Sequence, residues 1–255
     1  MIFDSHAHYD DKQFDEDRES LLGSLLPQKD VIGIINCATT IDTIAMTIDM
    51  CEKYSYIFGT AGIHPECADN LPANYLELIE KACAHKKIVA VGEIGLDYFY
   101  EDMCPKETQK KVFVEQIELA KKLDLPIVVH DRDAHQDTMD ILRKYKAKGV
   151  VHCFSGSKEM AIETVKMGYY LGIGGVVTFK NSRHVKEVVS AIPMEKLLLE
   201  TDAPYLSPVP FRGKRNDSSL IAYTASQIAQ LKNISTTEVL NASYQNTKDL
   251  FGKIF

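Results

Sequence analysis

The sequence lacks the features that mark membrane proteins and disulfide-rich secreted proteins. No apolar run approaches the length needed to span a bilayer, and the segment MIFDSHAHYD has no basic stretch followed by an apolar one. The six cysteines show no CxxC spacing, so neither a zinc ribbon nor a disulfide framework is indicated. We therefore expect a cytoplasmic protein with no membrane partner and no obligatory protein partner.

An excess of positive charge is also missing. Asp and Glu total 36 against 29 Lys and Arg, and the formal net charge is −7 at pH 7. This balance argues against a broad basic surface that binds nucleic acid mainly by releasing counterions from many phosphates. Any contact with nucleic acid is expected to be local.

Repeats, low-complexity tracts and linkers rich in Gly, Ser or Pro are absent, so residues 1–255 are expected to form a single domain. What is present is an alternation of elements. Short apolar runs predict buried strands at 2–4, 31–37, 57–62, 88–93, 127–130, 150–153, 169–174 and 197–200. Helical periodicity predicts helices at 14–26, 41–54, 74–85, 106–124, 134–145, 158–167, 182–191 and 218–231.

Eight strands that are each followed by a helix are typical of the α/β class and of a single (β/α)8 TIM barrel. Residues 235–251 are expected to add an extra C-terminal helix pair on the outside. A doubly wound open sheet is the competing architecture, but it predicts a Gly-rich phosphate turn after the first strand. In this sequence the first strand runs into His-Ala-His instead.

The unusual polar residues fall at predicted strand ends, where barrel enzymes place their active sites. Taken singly, each histidine is better interpreted as an ordinary hydrogen-bonded residue, and only the agreement across strands predicts a site. His6 and His8, two apart on one strand, point to the same side. The set that we predict to bind metal consists of His6, His8, Glu93, His130, His152 and Asp202.

Four imidazoles and two carboxylates suit two divalent ions such as zinc, manganese or iron, while carboxylates also accept magnesium. Glu93, central in strand order, is the predicted bridge. A hydroxide between the two ions is the expected nucleophile, which makes Glu93 and Asp202 the catalytic candidates. Asp4 and Glu200 are predicted to orient imidazoles through their second ring nitrogen, unless a strand twist turns them outward.

Further residues are predicted to contact substrate around this centre. His64 and Arg132 follow strand ends and are candidates for binding a phosphate, although Arg132 has the alternative of a salt bridge with Asp131 or Asp133. The loop after the eighth strand carries the densest basic cluster, Arg212, Lys214 and Arg215, which is either a phosphate contact or solvated charge. Asp97 and Tyr98 could line the mouth, with Tyr98 or Phe99 stacking a base.

Seven blocks of sequence resemble the TatD family of metal-dependent hydrolases, within the wider amidohydrolase-like superfamily. They occur in the family's order across nearly the whole chain: FDSHAH, GIHPE, VGEIGLDY, VVHDRDA, VHCFSG, LLLETDAPYL and PFRGKRN. The resemblance implies a barrel with a dinuclear site that hydrolyses phosphodiester bonds in DNA, often as a 3'-to-5' exonuclease acting on single strands or 3' ends.

The same resemblance implies how the ligands divide between the two ions. One ion would be bound by His6, His8 and Asp202, the other by His130 and His152, with Glu93 as the bridge. Two segments depart from the family pattern, namely Glu66 where many members have a second histidine, and 217–219 where many have a proline. Both departures are expected at the substrate rim.

Two other functions fit the same ligands. A metal-dependent acyl or amide hydrolase, such as an aminoacyl-tRNA deacylase, would direct the same nucleophile at a carbonyl carbon. Related amidohydrolases often use a carboxylated lysine as the bridge, so Glu93 favours the nuclease, as does the RGKR cluster. A metal-binding scaffold without catalysis is a third possibility, which the complete ligand set disfavours.

Overall fold

A parallel sheet of eight strands forms the centre of the structure, a computed structural model that describes residues 1–100 and 103–252. The strands follow one another in sequence order around the sheet: β1 (Ile2–Ala7), β2 (Val31–Cys37), β3 (Ile57–Ala61), β4 (Ile88–Asp97), β5 (Ile127–Arg132), β6 (Gly149–Val151), β7 (Tyr170–Ile173) and β8 (Leu197–Leu199). A parallel bridge between Ala7 and Ala203 joins the end of β1 to the segment that follows β8. The predicted TIM-barrel fold is therefore confirmed.

Helices lie between successive strands: α1 (Arg18–Ser20), α2 (Ile41–Lys53), α3 (Tyr75–Cys83), α4 (Lys106–Lys122), α5 (His135–Tyr145), α6 (Lys158–Lys166) and α7 (Arg183–Ala191). Two further helices, α8 (Ile221–Lys232) and α9 (Thr236–Leu250), follow β8. The strands are buried almost throughout because helices cover the outside of the barrel. Within the described part of the chain, no helix combines the length and apolarity that crossing a membrane requires.

The first predicted helix, 14–26, is wrong as a continuous element. The chain there forms 3-10 turns at Lys12–Phe14 and Pro27–Lys29, the single turn α1, and a π turn at Leu21–Leu25. Gly23 lies within this segment and disfavours a regular helix, and Pro27 cannot continue one. The Arg18 side chain also donates to the main-chain carbonyl of Tyr9 at 2.6 Å, which holds the chain before α1 in an irregular conformation.

The predicted helix pair at 235–251 is also wrong, since the structure has the single helix α9 there. No glycine or proline interrupts this stretch. The helix begins with a reciprocal capping box, in which the Ser235 hydroxyl accepts from the Glu238 N–H at 3.1 Å and the Glu238 carboxylate accepts from the Ser235 N–H at 2.8 Å. The sequence therefore continues as one helix from that start.

A glycine in β4 allows two site-bearing strands to approach each other closely. Gly95 has φ +147° and pairs in register with His130 of β5. A Cβ atom at this position would lie 2.0 Å from the carbonyl oxygen of His130. Any side chain at this position would displace the main chain of His130. The glycine of β4 therefore determines how closely β4 and His130 of β5 approach each other.

Candidate metal centre

A cavity of about 860 Å³ opens at the carboxyl end of the barrel strands. Five of the six predicted metal ligands line it: His8, Glu93, His130, His152 and Asp202. His6, the sixth, is fully buried. The structure therefore brings all six residues together, from five different strands and the loops that follow them.

One carboxylate oxygen of Glu93 faces His6 of β1 and His8, which directly follows that strand. Its Oε2 atom lies 3.4 Å from the Nε2 atoms of both His6 and His8. Asp202 lies on the other side of this pair, with Oδ1 at 3.4 Å from His8 Nε2 and 3.8 Å from His6 Nε2. These four residues surround one position.

The second oxygen of Glu93 faces a different group of rings. Its Oε1 atom lies 2.6 Å from His152 Nε2, 2.8 Å from His130 Nδ1 and 3.6 Å from His64 Nε2. Glu93 is itself only 2% exposed. The carboxylate thus lies between two clusters of imidazole nitrogens, one at each oxygen.

Hydrogen bonds on the outer side of two rings determine which nitrogen faces inward. His8 Nδ1 lies 2.8 Å from the carbonyl oxygen of Cys37 and must donate to it, which directs Nε2 to the centre. His130 is turned the other way, because its Nε2 lies 2.9 Å from Asp97 Oδ2 and its Nδ1 faces Glu93. Such outer partners are how metal-binding imidazoles are oriented in proteins.

The donor atoms fit divalent metal ions. The Nε2 atoms of His6 and His8 are 3.1 Å apart, and His130 Nδ1 is 3.2 Å from His152 Nε2. Three buried or half-buried groups place one donor atom per residue within 4.8 Å of one another: His6 with His152 and Asp202, His6 with His8 and Glu93, and His64 with Glu93 and His130. Imidazole and carboxylate donors that converge in this way suit zinc, manganese or iron.

Burial and mutual charge shift the acid–base properties of these groups strongly. Burial and the neighbouring His152 lower the pKa of His6 to about 4, and burial and His130 lower the pKa of His64 to about 3. Burial acts to raise the pKa of Glu93, but the surrounding imidazoles, with His152 foremost, hold that pKa well below its usual range. Glu93 is therefore an anion at neutral pH.

His8 and His130 shift in the opposite direction. Burial opposes protonation of His8, but the hydrogen bond with Asp202 and the charge of Glu93 outweigh it and raise the pKa of His8 to about 10. Burial likewise opposes protonation of His130, while its contacts with Asp97 and Glu93 raise the pKa to about 10. Without metal, these two rings carry protons at neutral pH.

Asp4 and Glu200, predicted to orient imidazoles, are both buried beside the centre. Asp4 accepts from the main-chain N–H of His6 at 3.2 Å, while His6 Nδ1 has no hydrogen-bond partner among the described residues. Asp4 therefore positions the main chain and not the ring. Glu200 Oε1 accepts from the Cys153 N–H at 2.5 Å and lies 3.8 Å from His152 Nδ1.

The segment that follows the basic cluster supports Asp4 and does not lie at the rim. The Ser218 hydroxyl donates to Asp4 Oδ2 at 2.6 Å, and Ser218 is fully buried. Burial raises the pKa of Asp4 to about 6 despite these hydrogen bonds. The other departure from the family pattern, Glu66, does line the cavity.

Arg132 lines the cavity, as expected of a substrate-binding residue. Its guanidinium carbon lies 3.8 Å from the ring centre of Phe99, which is 51% exposed. Asp131, one of its alternative partners, instead pairs with His135 at 2.7 Å. Tyr98, predicted to stack a base, instead donates a hydrogen bond from its hydroxyl to Asp137 of α5 at 2.7 Å.

Arg212 and Arg215 do not lie among the residues that line the cavity. Arg215 forms a two-point contact with Asp17 at 2.5 and 2.8 Å and stacks on Phe14. Arg212 lies 4.2 Å from the ring centre of Phe179. The structure thus places Arg212 against an aromatic ring and Arg215 against an acidic side chain, outside the cavity wall, and the contact of either residue with a substrate phosphate stays a prediction.

Asp97 is the site residue whose role the sequence analysis missed. It was expected only to line the mouth, yet it holds the outer nitrogen of His130. A signal for this role was present, because Asp97 lies four residues after Glu93 and the side chains of a strand alternate between its two faces. The assumed end of the strand at residue 93 hid it, since β4 continues to Asp97.

Comparison with known proteins agrees with this geometry. The family described as TatD related DNase matches residues 3–252. The metal-dependent hydrolase YabD of Bacillus subtilis is 44% identical over 254 residues, which cover 98% of this chain and 99% of YabD. Among solved structures, the TatD homologue YjjV of Escherichia coli superposes with a TM-score of 0.91 at 33% identity, over 98% of each chain.

A TatD family hydrolase from Entamoeba histolytica superposes with a TM-score of 0.88 at 26% identity, again over 98% of both chains. The family match spans almost the entire described part of the chain, and it includes every residue of the centre. The chain belongs to the TatD-related DNase family and is a metal-dependent hydrolase.

Proposed function

We propose that this protein hydrolyses phosphodiester bonds in DNA, as a 3'-to-5' exonuclease on single strands, with two divalent ions in the centre. The observation that carries the proposal is the position of Glu93, whose two oxygens each face a separate cluster of imidazole nitrogens. The family's description as a DNase supports the choice of DNA as substrate.

In this proposal His6, His8 and Asp202 would hold one ion, His130 and His152 would hold the other, and Glu93 would contribute a carboxylate oxygen to each. Bound divalent ions would supply Lewis acidity, which activates water and offsets charge on phosphate oxygens. Zinc, manganese, magnesium and iron are all compatible with these donors. The carboxylates of Glu93 and Asp202 would carry the catalytic centre's fixed negative charge.

Binding of a phosphate group would depend on the ions. Among the described residues, the cations of the metal-free cavity wall are Lys12, Arg132 and the protonated rings of His8 and His130. Carboxylates outnumber them, since the wall carries Asp10, Asp11, Glu66, Asp97 and Asp131 besides the central pair. Without metal this surface repels an anion. With metal, Arg132 would contact a phosphate oxygen, since stacking on Phe99 leaves its N–H groups available at the ring edges.

His64 would contact the same phosphate or the leaving group. Burial and the neighbouring His130 lower its pKa to about 3, so the ring is neutral at pH 7 and acts as a hydrogen-bond donor and not as a cation. Arg212 and Arg215 lie against Phe179 and Asp17, outside the cavity wall, so we propose that they contact substrate phosphates beyond the scissile one.

The second candidate is an acyl hydrolase acting on an aminoacyl ester, such as an aminoacyl-tRNA. The acidic wall of the cavity favours it, because Asp10, Asp11 and Glu66 would attract the ammonium group that an aminoacyl ester carries. The same centre serves either reaction, since both need an activated water and a stabilised oxyanion.

The test is a hydrolysis screen with single-stranded DNA, RNA and aminoacyl-tRNA, each with magnesium, manganese or zinc supplied separately. We expect mononucleotides to be released from the 3' end of 5'-labelled DNA, and Glu93→Ala and Asp202→Ala to abolish that release. Full activity of both variants would refute the proposal. Cleavage of aminoacyl-tRNA without cleavage of DNA would establish the second candidate instead.

A matched control removes a carboxylate that contacts a histidine elsewhere. Glu52 lies 2.6 Å from His85 on the outer surface and is not part of the cavity. Glu52→Gln is expected to keep wild-type activity, so a loss confined to Glu93 and Asp202 would reflect the centre and not a general effect of losing a carboxylate.

A further inference from the structure

Two buried glutamines on α4 contact the main chain at Asp97 and at Ile63, which precedes His64. Both contacts lie on the side of the centre that faces Oε1 of Glu93. Gln109 and Gln116 are seven residues apart, which is about two helical turns, so they lie on one face of the helix. Gln109 is 2% exposed and Gln116 is fully buried. Both are surrounded by apolar residues of α4, where a leucine would be the ordinary choice.

Gln116 contacts Ile63, the residue before His64, at both of its main-chain polar atoms. The amide oxygen of Gln116 accepts from the Ile63 N–H at 2.7 Å, and the amide nitrogen donates to the Ile63 carbonyl at 3.1 Å. The next residue, His64, has its main-chain N–H bonded to Thr39 at 2.9 Å. Hydrogen bonds to Ile63 and to His64 thus fix the main chain on both sides of the peptide bond that joins them.

Gln109 makes the equivalent pair of contacts with Asp97. Its amide oxygen accepts from the Asp97 N–H at 2.8 Å, and its amide nitrogen donates to the Asp97 carbonyl at 2.8 Å and to that of Cys104 at 3.0 Å. The Asp97 carboxylate in turn holds His130. Gln109 therefore acts on His130 through the main chain of Asp97.

We propose that Gln109 and Gln116 are positioning residues, which use one face of α4 to set the places of His130 and His64 around Glu93. A buried amide is costly unless its polar atoms are hydrogen-bonded, and in this case each amide satisfies a main-chain N–H and a C=O that would otherwise be unpaired. These contacts bear only on the His64, Glu93 and His130 cluster, and not on the His6 and His8 side. The inference rests on the proposed function for its metal readout.

The variants that test it are Gln109→Met and Gln116→Met, which keep the approximate shape and remove both hydrogen bonds. Loss of an outer partner of a metal ligand commonly weakens metal binding by about 10- to 100-fold. We expect Gln109→Met, which acts on the ligand His130, to retain fewer than two ions per chain, with loss of the more weakly bound one. Gln116→Met acts on the substrate-contacting His64 and should keep both ions. Both variants should lower kcat more than they raise KM.

Hydrogen exchange gives a readout that does not depend on activity. Faster exchange is expected in the peptide that covers residues 59–66 for Gln116→Met, and in the one that covers 94–100 for Gln109→Met. If the proposed function fails because the wild-type protein holds no metal, this exchange arm still tests the positioning role.

Asn246 of α9 provides the matched control. It is 4% exposed and its amide donates to the carbonyls of Met194 and Leu197 at 2.7 and 2.8 Å, at the opposite end of the barrel. Asn246→Leu is expected to lower the melting temperature as much as the glutamine variants while keeping both ions. Equal metal content and equal kcat in all three folded variants would overturn the inference.

A second substitution covers the case in which a methionine variant does not fold. Burial favours the neutral form of a carboxyl group, and a neutral glutamic acid has an acceptor oxygen and an O–H donor in place of the amide. Gln109→Glu should therefore fold and retain more metal than Gln109→Met, and Gln116→Glu should fold and recover kcat relative to Gln116→Met. If neither glutamate variant exceeds its methionine counterpart in these readouts, the positioning role is contradicted.

Discussion

His8 and His130 face Glu93 with different ring nitrogens, and the reason lies in a single outer contact for each. The carbonyl of Cys37 takes the Nδ1 proton of His8, whereas the carboxylate of Asp97 takes the Nε2 proton of His130. Outer contacts of this kind orient each ring before any ion arrives and determine which nitrogen keeps its proton when the other one binds metal. They also make Asp97 more important than its place at the edge of the cavity suggests.

Asp97→Asn is expected to weaken metal retention by about 10- to 100-fold, because the amide no longer holds the ring with a charge-assisted bond. Metal content after dialysis against a competing chelator would measure this. Asp137→Asn is a suitable control. Asp137 of α5 accepts a hydrogen bond from Tyr98, the residue after Asp97, and it contacts no histidine of the centre. Equal metal retention in the two variants would contradict the assigned role of Asp97.

Metal uptake is expected to release protons at pH 7. In the metal-free protein the contacts with Asp202, Glu93 and Asp97 outweigh burial and raise the pKa of His8 and of His130 to about 10, above the ordinary value of 6.5. Both rings are then protonated at pH 7, and each must lose one proton before it can bind metal. Affinity should therefore rise as the pH increases from 6.5 towards 10 and fall on acidification.

Titration calorimetry in two buffers of different ionisation enthalpy would count these protons. A net release of at least two protons is expected, one from each ring, in addition to any proton that a metal-bound water loses. The same raised pKa values mean that protonation of these rings stabilises the metal-free fold most below pH 6.5, and that this contribution is lost as the pH rises through about 10. Metal binding without any proton release at pH 7 would contradict the protonated state of His8 and His130.

At the scale of elements, the close approach of β4 and β5 depends on Gly95. Gly95→Ala is expected to destabilise the protein by roughly 2 to 4 kcal/mol, from strained backbone and from the clash with the His130 carbonyl. Denaturant unfolding would measure the loss, and metal content would report the displacement of His130.

Gly168→Ala is the matched control for that substitution. Gly168 also has a positive φ, of +101°, but an added Cβ would meet nothing within 4 Å. Only the backbone term, about 1 to 2 kcal/mol, is then expected, with metal content unchanged. If the two alanine variants lose equal stability, the close contact between Gly95 and His130 has no energetic importance.

Strands were easier to predict than helices because each is a short apolar run between polar segments. All eight predicted strands have a counterpart in the structure, with differences at their ends: β4 extends to Asp97, and β6 is only three residues long. The first helix could not be foreseen as irregular from periodicity alone. Its form depends on the Arg18 contact with Tyr9, which is a tertiary interaction.

At the scale of the whole molecule, bound metal should contribute substantially to stability. An ion at 100 times its dissociation constant stabilises the folded state by about 2.7 kcal/mol, and 1 kcal/mol moves the melting temperature of a chain of this size by about 2 to 4 °C. A chelator is thus expected to lower the melting temperature by roughly 5 to 10 °C for each ion removed.

Calorimetry with and without chelator, followed by addition of metal, would check this expectation. Glu93→Ala should melt at the same temperature in both conditions, because it lacks the carboxylate between the two clusters. If the chelator does not change the melting temperature of the wild-type protein, the folded protein does not bind ions more tightly than the unfolded chain does.

The centre was predictable from the sequence, whereas its rim was not. Strand ends converge in a barrel, so polar residues at those ends must meet, and this rule brought His6, His130 and Asp202 together without knowledge of side-chain contacts. Rim residues depend on pairs that are distant in sequence. Arg215 is held by Asp17, and no local pattern indicates that contact.

The seam of the barrel has a consequence for how the protein is made. His6, His8 and the loop that carries Asp202 meet where the end of β1 joins the segment that follows β8 through Ala7 and Ala203. During translation Asp202 is synthesised long after His6 and His8. An ion that these three side chains would hold jointly could therefore be captured in its final geometry only after residue 202 has left the ribosome, and it would tie together two parts of the chain that are far apart in sequence.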